Sequence, residues 1–160
     1  MGSIHLEEVY AMNESFMLRA LELARKAAFM GETPVGCVIV GNGEVIAEGY
    51  NRRETDRNAL AHAELIAISD ACRKLGGWRL DGCSLYVTLE PCPMCAGAVI
   101  NSRVRHVIFG ARDPKAGSCG SVVNLFDYCY NHTPLLTEGI LADESSALLR
   151  EFFARLRKKA

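Results

Sequence analysis

The sequence predicts an α/β domain in which helices pack on both faces of one β-sheet. Segments with apolar residues at helical spacing alternate along the chain with short apolar segments rich in Val, Ile and Leu. No repeats, linkers or low-complexity stretches interrupt this order. With 160 residues, of which 49% are hydrophobic, the chain has the size of one compact domain with its own core, so we assign residues 1–160 to one domain.

The first half of the chain predicts a helix, a β-hairpin and a second helix. Apolar residues at helical spacing define the first helix, and the segments around Gly41-Asn42-Gly43 are typical of a hairpin. A polar loop, residues 51–58, leads into a helix that carries His62 and Glu64. In that helix, the residues expected to face inward are Leu65, Ile66, Ile68 and Cys72. The first three elements are predicted over residues 13–30, 35–40 and 45–50.

The second half of the chain predicts further strands, a loop near a site and a long final helix. A buried strand leads directly into the helix with two cysteines, which we expect Pro91 to open. Residues 112–120 form a Gly-containing loop of the kind that borders binding sites. The final helix starts near Asp143, and one of its sides carries Leu148, Leu149, Phe152, Phe153 and Leu156. The other predicted elements are strands over residues 84–89, 104–111 and 135–140 and a short helix over 122–128.

Two motifs carry the chemistry, His62-Ala63-Glu64 and Pro91-Cys92-Pro93-Met94-Cys95. Zinc takes four ligands, usually Cys sulfur or His nitrogen, and a catalytic zinc site leaves one position to water. The spacing of Cys92 and Cys95 places both sulfurs on one face of a first helical turn, where backbone N–H groups favour thiolates. His62 supplies a third ligand from another segment. Together, the two motifs form the H-x-E…P-C-x-x-C pattern that marks zinc-dependent nucleobase deaminases.

Glu64 is expected to act as a proton shuttle and not as a fourth ligand. It lies two residues after His62 on a helix, so the two side chains cannot point in the same direction. Alternatives exist for the cysteine motif, since Cys-x-x-Cys also occurs in redox-active sites and in structural zinc knuckles. A structural knuckle needs four protein ligands, for which Cys83 and Cys119 are the spare candidates. The order and spacing of both motifs favour the catalytic site.

Composition predicts a cytoplasmic protein. The odd number of cysteines, 7, and the lack of a recognisable signal peptide favour a reducing compartment over a disulfide framework. No apolar run approaches the length of a membrane span, and Leu6 stands where myristoylation prefers Ser or Thr.

The net charge of −1 does not by itself indicate a nucleic-acid partner, but the end of the chain is basic. Arg150, Arg155, Arg157, Lys158 and Lys159 stand among the last eleven residues with a single acid, Glu151. This basic tail fits either a solvated helix end, which basic residues stabilise through the helix dipole, or an edge that contacts phosphates.

Outside the zinc motifs, further segments carry a family resemblance over residues 16–153. With them, the chain resembles the bacterial tRNA adenosine deaminases, which convert adenosine to inosine at the anticodon wobble position. The segments that narrow the resemblance to this branch include Pro34-Val35-Gly36, Tyr50-Asn51-Arg52, Trp78-Arg79-Leu80, Ser102-Arg103, residues 110–115, Asn131-His132, residues 138–142 and Phe152-Phe153.

The resemblance implies a cytidine-deaminase-like, three-layer α/β/α sandwich with a five-stranded mixed sheet, one Zn²⁺ per subunit and a homodimer. It also implies that Asn51 and Asn131 hydrogen-bond the flipped wobble nucleotide of a tRNA anticodon stem-loop. The resemblance further implies that four residues help to line the RNA cleft, namely Asp113, Lys115, His132 and Phe153. From the residues alone, Asn51 and Asp113 also fit ordinary turns, Asn131-His132 also fits a polar loop, and Phe153 also fits a core position.

The predicted function is therefore hydrolytic deamination of a wobble adenosine that is turned out of its stack. Glu64 takes a proton from water, delivers it to N1, and later protonates N6 so that ammonia leaves. One alternative is a deaminase of free guanine, cytosine or a nucleoside such as cytidine, for which the same four residues would serve. Another is a non-catalytic RNA-binding partner subunit with structural zinc, against which Glu64 argues because such a subunit has no use for a shuttle.

Overall fold

The computed structural model describes residues 6–160, in which four helices flank a five-stranded sheet. Residues 1–5, on which part of the prediction about targeting signals rests, lie outside the described residues. Among the helices of residues 6–160, none has the length and apolar character to cross a membrane. The elements are α1 (Leu6–Phe29), β1 (Gly36–Gly41), β2 (Glu44–Tyr50), α2 (Ala63–Leu75), β3 (Ser84–Leu89), α3 (Pro93–Ser102), β4 (His106–Ala111), a 3₁₀ turn (Leu125–Asp127), β5 (Leu135–Glu138) and α4 (Ala142–Lys159).

The sheet has the strand order β2-β1-β3-β4-β5 and is mixed, as the family resemblance implied. β1 is antiparallel to both β2 and β3, whereas β3, β4 and β5 are parallel. β2 through β5 therefore all run in one direction, and their carboxyl ends share one edge of the sheet, which we call the carboxyl edge. Loops at such an edge are where open α/β sheets bind their ligands.

Alternating strand residues divide the core between the two faces of the sheet, which gives the three layers. On one face, Ile39 of β1 belongs to a cluster with α2 and α3 residues such as Ala67 and Val99. On the other face, the neighbouring Val38 packs in a cluster with α1 residues such as Met17.

Several element bounds differ from the prediction, three of them for identifiable reasons. α1 includes residues from Leu6 onward, whereas the sequence predicted a start at residue 13. The prediction missed residues 6–12 because they are all exposed and show no apolar pattern facing a core. The predicted helix over residues 122–128 is a single 3₁₀ turn, in which the Asn124 side chain accepts a hydrogen bond from Phe126 N at 3.1 Å. β5 ends at Glu138, because Gly139 has a φ of 86° and leaves the strand conformation.

The inward face of α2 was predicted wrongly in part. Ala63, Ala67 and Ala71 are fully buried, and Ile68 is buried with them, whereas Leu65 and Ile66 are half-exposed. Small residues face the sheet because α2 lies directly against β2. A Cβ atom added at Gly49 of β2 would lie 2.3 Å from the Ala63 carbonyl oxygen.

The apolar side of α4 is also less covered than the sequence suggested. Only Ser145 of this helix is fully buried, whereas Phe153 and Leu156 expose 40% and 53% of their surface. α4 lies against β4 and the end of α1, and its last turns carry the basic tail.

The contact between α2 and β2 makes Gly49 a sensitive position. Gly49→Ala should lower the free energy of unfolding by about 1–3 kcal/mol, because the new methyl group forces the helix away from the strand. Urea denaturation measures this effect. Gly77→Ala is the matched control, because no atom lies within 4 Å of a Cβ at Gly77, and we expect a change of at most about 0.5 kcal/mol. Equal unfolding free energies for the two variants would contradict the close approach.

Candidate active site

The metal-binding residues stand at the starts of two helices. His62 is the residue immediately before α2, and Cys92 is the residue immediately before α3, both with extended backbone. The expectation that Pro91 opens the cysteine helix is wrong, since Pro93 is its first residue. Proline suits that position because its fixed φ is helical and the N–H it lacks has no partner there. Cys95 follows in the first turn.

These helix starts bring three ligand atoms together at the carboxyl edge. His62 Nδ1 lies 3.7 Å from Cys92 Sγ and 3.6 Å from Cys95 Sγ, and all three atoms lie within 4.8 Å of one another. A tetrahedral zinc ion holds nitrogen and sulfur ligands about 3.6 Å apart, given its usual bond lengths. The residues therefore fit zinc. In the described chain the cluster has only these three members, so neither Cys83 nor Cys119 closes it as a fourth ligand.

The thiols of the cluster have very different proton affinities. A hydrogen bond with Cys95 and another with His62 lower the pKa of the Cys92 thiol to about 4. The hydrogen bond with Cys92, together with burial, raises the pKa of the Cys95 thiol. The raised pKa favours the protonated form of Cys95, and zinc binding competes with that proton because thiolates are the metal ligands.

Glu64 lies beside this cluster, in the first turn of α2, with only 4% of its surface exposed. Burial raises the pKa of its carboxyl group to about 7. A group with a pKa near the working pH both accepts and donates protons readily. The location and the proton affinity of Glu64 therefore suit a proton shuttle.

A cavity of about 210 Å³ opens onto the cluster. Apolar groups of Val35, Ala63 and Leu89 contribute to its walls, and polar groups surround them, as in sites that orient a small planar ligand. The lining residues are Thr33, Val35, Asn51, Arg53, His62, Ala63, Glu64, Leu89, Glu90, Cys92, Asp113 and Ala116. A larger groove of about 570 Å³, between the end of α1 and α4, includes none of the metal ligands.

Two of the expected substrate-binding residues, Asn51 and Asp113, line this cavity and also stabilise turns. The Asn51 amide donates a hydrogen bond to Thr33 O at 3.2 Å and accepts one from Arg53 N at 3.2 Å. The Asp113 carboxylate accepts hydrogen bonds from Lys115 N at 2.9 Å and from Ala116 N at 3.3 Å. The binding role and the turn role are thus compatible.

The other four expected RNA-contacting residues do not line the cavity. Lys115 is exposed on the loop that contains Asp113, and Phe153 is exposed on α4. Asn131 and His132 precede β5, and His132 Nε2 donates a hydrogen bond to Val104 O at 2.7 Å, beside the amino end of β4. Their contacts with RNA stay predictions, and those of Asn131 and His132 would be made at the opposite end of the sheet.

Comparison with known proteins identifies the family. The profile of the cytidine and deoxycytidylate deaminase zinc-binding region matches residues 11–111. The chain belongs to this zinc-dependent deaminase family. It is 51% identical to a tRNA-specific adenosine deaminase of Bacillus subtilis (strain 168), over 92% of both chains. Zinc is therefore the cofactor of the deaminase.

Two solved structures place the deaminase within its family. One, from work on A-to-I editing by tRNA:A34 deaminases at the wobble position of transfer RNA, superposes with a TM-score of 0.82 and 44% identity, covering 84% of this chain and 99% of that chain. The other is a guanine deaminase from Nitrosomonas europaea, with a TM-score of 0.72 and 32% identity, covering 88% of this chain and 84% of that chain. Both likenesses confirm the cytidine-deaminase-like fold.

Sequence reasoning missed Arg53 and the buried acid Glu90, which line the cavity, and the buried acid Glu32, which does not line it but holds one of its loops. Glu32 accepts hydrogen bonds from Glu54 N and Thr55 N and so holds the loop after β2. Their signal in the sequence is weak but present: each acid lies next to a segment that the fold buries, and a buried acid needs dedicated donors.

Zinc should bind in a ratio of one per chain, through two sulfurs, one nitrogen and one further light atom, because the described cluster offers three ligands. X-ray absorption spectroscopy measures this ligand set. Cys95→Ala should lose zinc and unfold more easily, since ligation joins two separate segments. Cys83→Ala is the matched control, because Cys83 is buried but outside the cluster, and it should keep its zinc. A third sulfur in the coordination shell would contradict this site.

Proposed function

We propose that this deaminase hydrolyses adenosine to inosine at the wobble position of a tRNA anticodon. The observation that carries the proposal is the cavity in which the zinc ligands and the buried Glu64 meet. High identity to tRNA-specific adenosine deaminases over nearly the whole chain supports adenosine in tRNA as the substrate. We take residues 1–160 as one deaminase domain.

The cavity residues divide the reaction between water activation and proton transfer. Zinc, when bound, lowers the pKa of a coordinated water molecule from 15.7 towards about 7. Glu64 takes a proton from water and delivers it to N1 of the adenine, which makes C6 a better electrophile. Once the new C6–O bond has formed, Glu64 takes the remaining proton from that oxygen and delivers it to N6, the C6–N6 bond breaks, the C6 carbonyl forms, and ammonia leaves. Anticodon-loop bases are already partly unstacked, so turning one out costs less than in a duplex.

We assign the remaining predicted residues to RNA binding. Asn51 is the hydrogen-bonding partner of the flipped nucleotide inside the cavity, and Asp113 lines the cavity beside it. Lys115 and Phe153 contact the RNA outside the base pocket, as exposed residues of the loop after β4 and of α4. Asn131 was expected to hydrogen-bond the flipped nucleotide itself, but in this proposal Asn131 and His132 contact the RNA away from the cavity, since they lie at the other end of the sheet.

A panel of substrates tests the proposal directly. The purified protein is incubated with an anticodon stem-loop that has a wobble adenosine, and separately with free adenosine, guanine and cytidine. Mass spectrometry then follows the replacement of nitrogen by oxygen. We expect turnover of the stem-loop alone. If free guanine is deaminated and the stem-loop is not, the result would instead support the activity of the Nitrosomonas europaea relative. If no substrate is turned over, the result would favour a non-catalytic subunit.

Glu64→Ala should abolish turnover and leave zinc content and RNA affinity nearly unchanged, because we assign the carboxylate to proton transfer alone. General acid–base groups contribute about 10²–10⁴-fold, and the several transfers assigned to Glu64 place the loss at the upper end. Single-turnover kinetics, metal analysis and a binding titration measure the three quantities. The matched control is Glu44→Ala, at an exposed acid of β2, which should keep wild-type rates. More than about a tenth of wild-type activity in Glu64→Ala would show that the assignment is wrong.

We further propose a homodimer whose contact surface includes the outer sides of α2 and α3. Leu60 exposes 58% of its surface, and Leu65 and Ile66 of α2 are only half-buried. On α3, open space surrounds a Cβ added at Gly97. A second copy would cover these groups in the self-complementary way typical of twofold dimers.

Gly97→Arg should therefore convert the dimer to a monomer, since the long charged side chain occupies the contact. Sedimentation velocity measures the change in mass. Gly77→Arg, at another open position outside this surface, should leave the dimer intact. A monomeric wild-type protein at micromolar concentration would contradict the dimer.

The basic tail gives a prediction on affinity. Its side chains are exposed, although Arg155 also pairs with Glu151 at 2.5 Å. If the tail contacts phosphates, replacing Arg155, Arg157, Lys158 and Lys159 by Ala should weaken binding of any stem-loop, whatever its wobble base. The log–log salt slope should flatten by about 0.7 for each lost contact on single-stranded RNA.

Affinities at several salt concentrations measure this slope. Turnover at saturating RNA should hardly change, because the tail lies outside the cavity. Arg73→Ala with Lys74→Ala, at the end of α2, is the control. An unaltered slope in the tail variant would show that the tail is a solvated helix end.

We propose a cytoplasmic location as well. All seven cysteines are free thiols, which suits a reducing compartment.

A further inference from the structure

Glu90 is a buried carboxylate between the metal-binding segment and one wall of the cavity. It follows the last residue of β3, precedes Pro91-Cys92, and exposes 2% of its surface. Among the ion pairs of residues 6–160, none involves Glu90, so its charge is compensated by hydrogen-bond donors. A buried carboxylate requires such donors, because burial without them is costly.

All of these donors come from the loop that follows β4, which we call the 112–121 loop. Glu90 Oε1 accepts hydrogen bonds from Cys119 N at 3.1 Å and from Ser121 N at 3.0 Å. Glu90 Oε2 accepts them from Asp113 N at 2.9 Å and from Ser121 Oγ at 2.5 Å. The carboxylate thus holds the start of the loop, at Asp113, and its end, at Cys119 and Ser121, with four hydrogen bonds.

The backbone around Glu90 strengthens the same connection. Glu90 N donates a hydrogen bond to Ala111 O at 2.8 Å, and Ser118 N donates one to Pro91 O at 2.8 Å. The 112–121 loop also packs tightly on the carboxylate, since a Cβ added at Gly117 would lie 2.2 Å from Glu90 Oε2. A glycine is required where the loop crosses the acid.

We infer that Glu90 is a positioning residue, which fixes the cavity wall formed by Asp113 and Ala116 at a set distance from the metal ligand Cys92. The inference rests on the proposed site, and it assigns Glu90 no contact with reacting atoms. Asp113 receives one of the four hydrogen bonds on its own backbone nitrogen, so a change at Glu90 reaches the cavity directly. Cys92 is only two residues away along the chain, so loop and metal segment share one anchor.

The residue type matters because only a carboxylate presents two oxygens that both accept hydrogen bonds. In Glu90→Gln, an NH₂ group replaces one oxygen and faces two donors, of which only the Ser121 hydroxyl can turn to accept, so at least one of the four hydrogen bonds is lost. The loop then moves while the side-chain volume stays almost constant. Displacing a wall of a binding site by about 1 Å is enough to impair substrate binding strongly.

Glu32 provides the matched comparison. It is 1% exposed and accepts hydrogen bonds from Glu54 N at 3.0 Å and Thr55 N at 2.8 Å. It therefore holds the loop on the other side of the cavity, where Asn51 and Arg53 lie, and not the 112–121 loop. Glu32→Gln is a buried acid-to-amide change of the same kind at the other wall.

The test is a double-mutant cycle on the zinc-loaded protein, with the substrate that the wild type turns over in the panel. Glu90→Gln should raise KM about tenfold or more, with kcat within about threefold of wild type and full zinc content. In an Asp113→Ala background, this increase in KM should largely disappear, because the wall that Glu90 positions has lost its side chain. The change in KM that Glu32→Gln causes should be as large in the Asp113→Ala background as with Asp113 present.

Hydrogen exchange gives a second readout that does not depend on any activity. Glu90→Gln should speed amide exchange in the 112–121 loop and leave residues 51–58 unchanged, whereas Glu32→Gln should do the reverse. If Glu90→Gln does not fold, Ser121→Ala and Gly117→Ala disturb the same contacts from the loop side and should reproduce the higher KM. Three results would each overturn the inference. They are an unchanged KM in Glu90→Gln, the same increase in KM with Asp113 present as in the Asp113→Ala background, and unchanged amide exchange in the 112–121 loop. Failure of the stem-loop in the panel would overturn the proposed substrate but leave this test in place.

Discussion

The structure depends on one geometric constraint, the meeting of two helix starts at about 3.6 Å between a histidine nitrogen and two cysteine sulfurs. α3 satisfies it because it leaves β3 directly and starts with its cysteines. α2 satisfies it because Gly49 lets the helix backbone lie against β2. The mixed sheet brings both starts to its carboxyl edge, since β2 and β3 run in the same direction. The strand directions and the close helix packing that define the fold therefore also bring the metal ligands together.

Three buried glutamates around the cavity show how environment separates roles within one residue type. Burial raises the pKa of the Glu64 carboxyl to about 7, which prepares it for proton transfer. Burial acts in the same direction on Glu90, but hydrogen bonds from Ser121 and the loop backbone outweigh it and lower the pKa. The pKa of Glu32 is lowered in the same way, by donors in the loop after β2. The two acids with low pKa stay charged and hold loops, whereas the third has the proton affinity that the proposed shuttle requires.

The cavity and the basic last turns of α4 lie in different parts of the molecule. The cavity is small, enclosed by loops that the buried acids hold, and suited to one base. Arg53 lines the cavity, whereas other basic groups lie outside it, on the exposed last turns of α4 and around Tyr50, where Lys26 and Arg52 approach the ring within 4.8 and 5.5 Å. The net charge of −1 is a sum over the whole chain and does not indicate where the basic groups lie. Contacts with phosphates depend on where charges are placed and not on their sum.

The sequence by itself determined the strand and helix order, the zinc ligands and the acid beside them, because these follow from local periodicity and from short motifs with fixed spacing. It did not reveal that alanines of α2 face the sheet, that Pro93 opens α3, or that α4 is sparsely covered. Nor did it reveal the roles of Glu32 and Glu90, whose donors lie more than 20 residues away along the chain. Only the tertiary structure decided these points. Close packing at Gly49 and the hydrogen-bond needs of a buried charge involve partners that are distant in sequence, which no local pattern encodes.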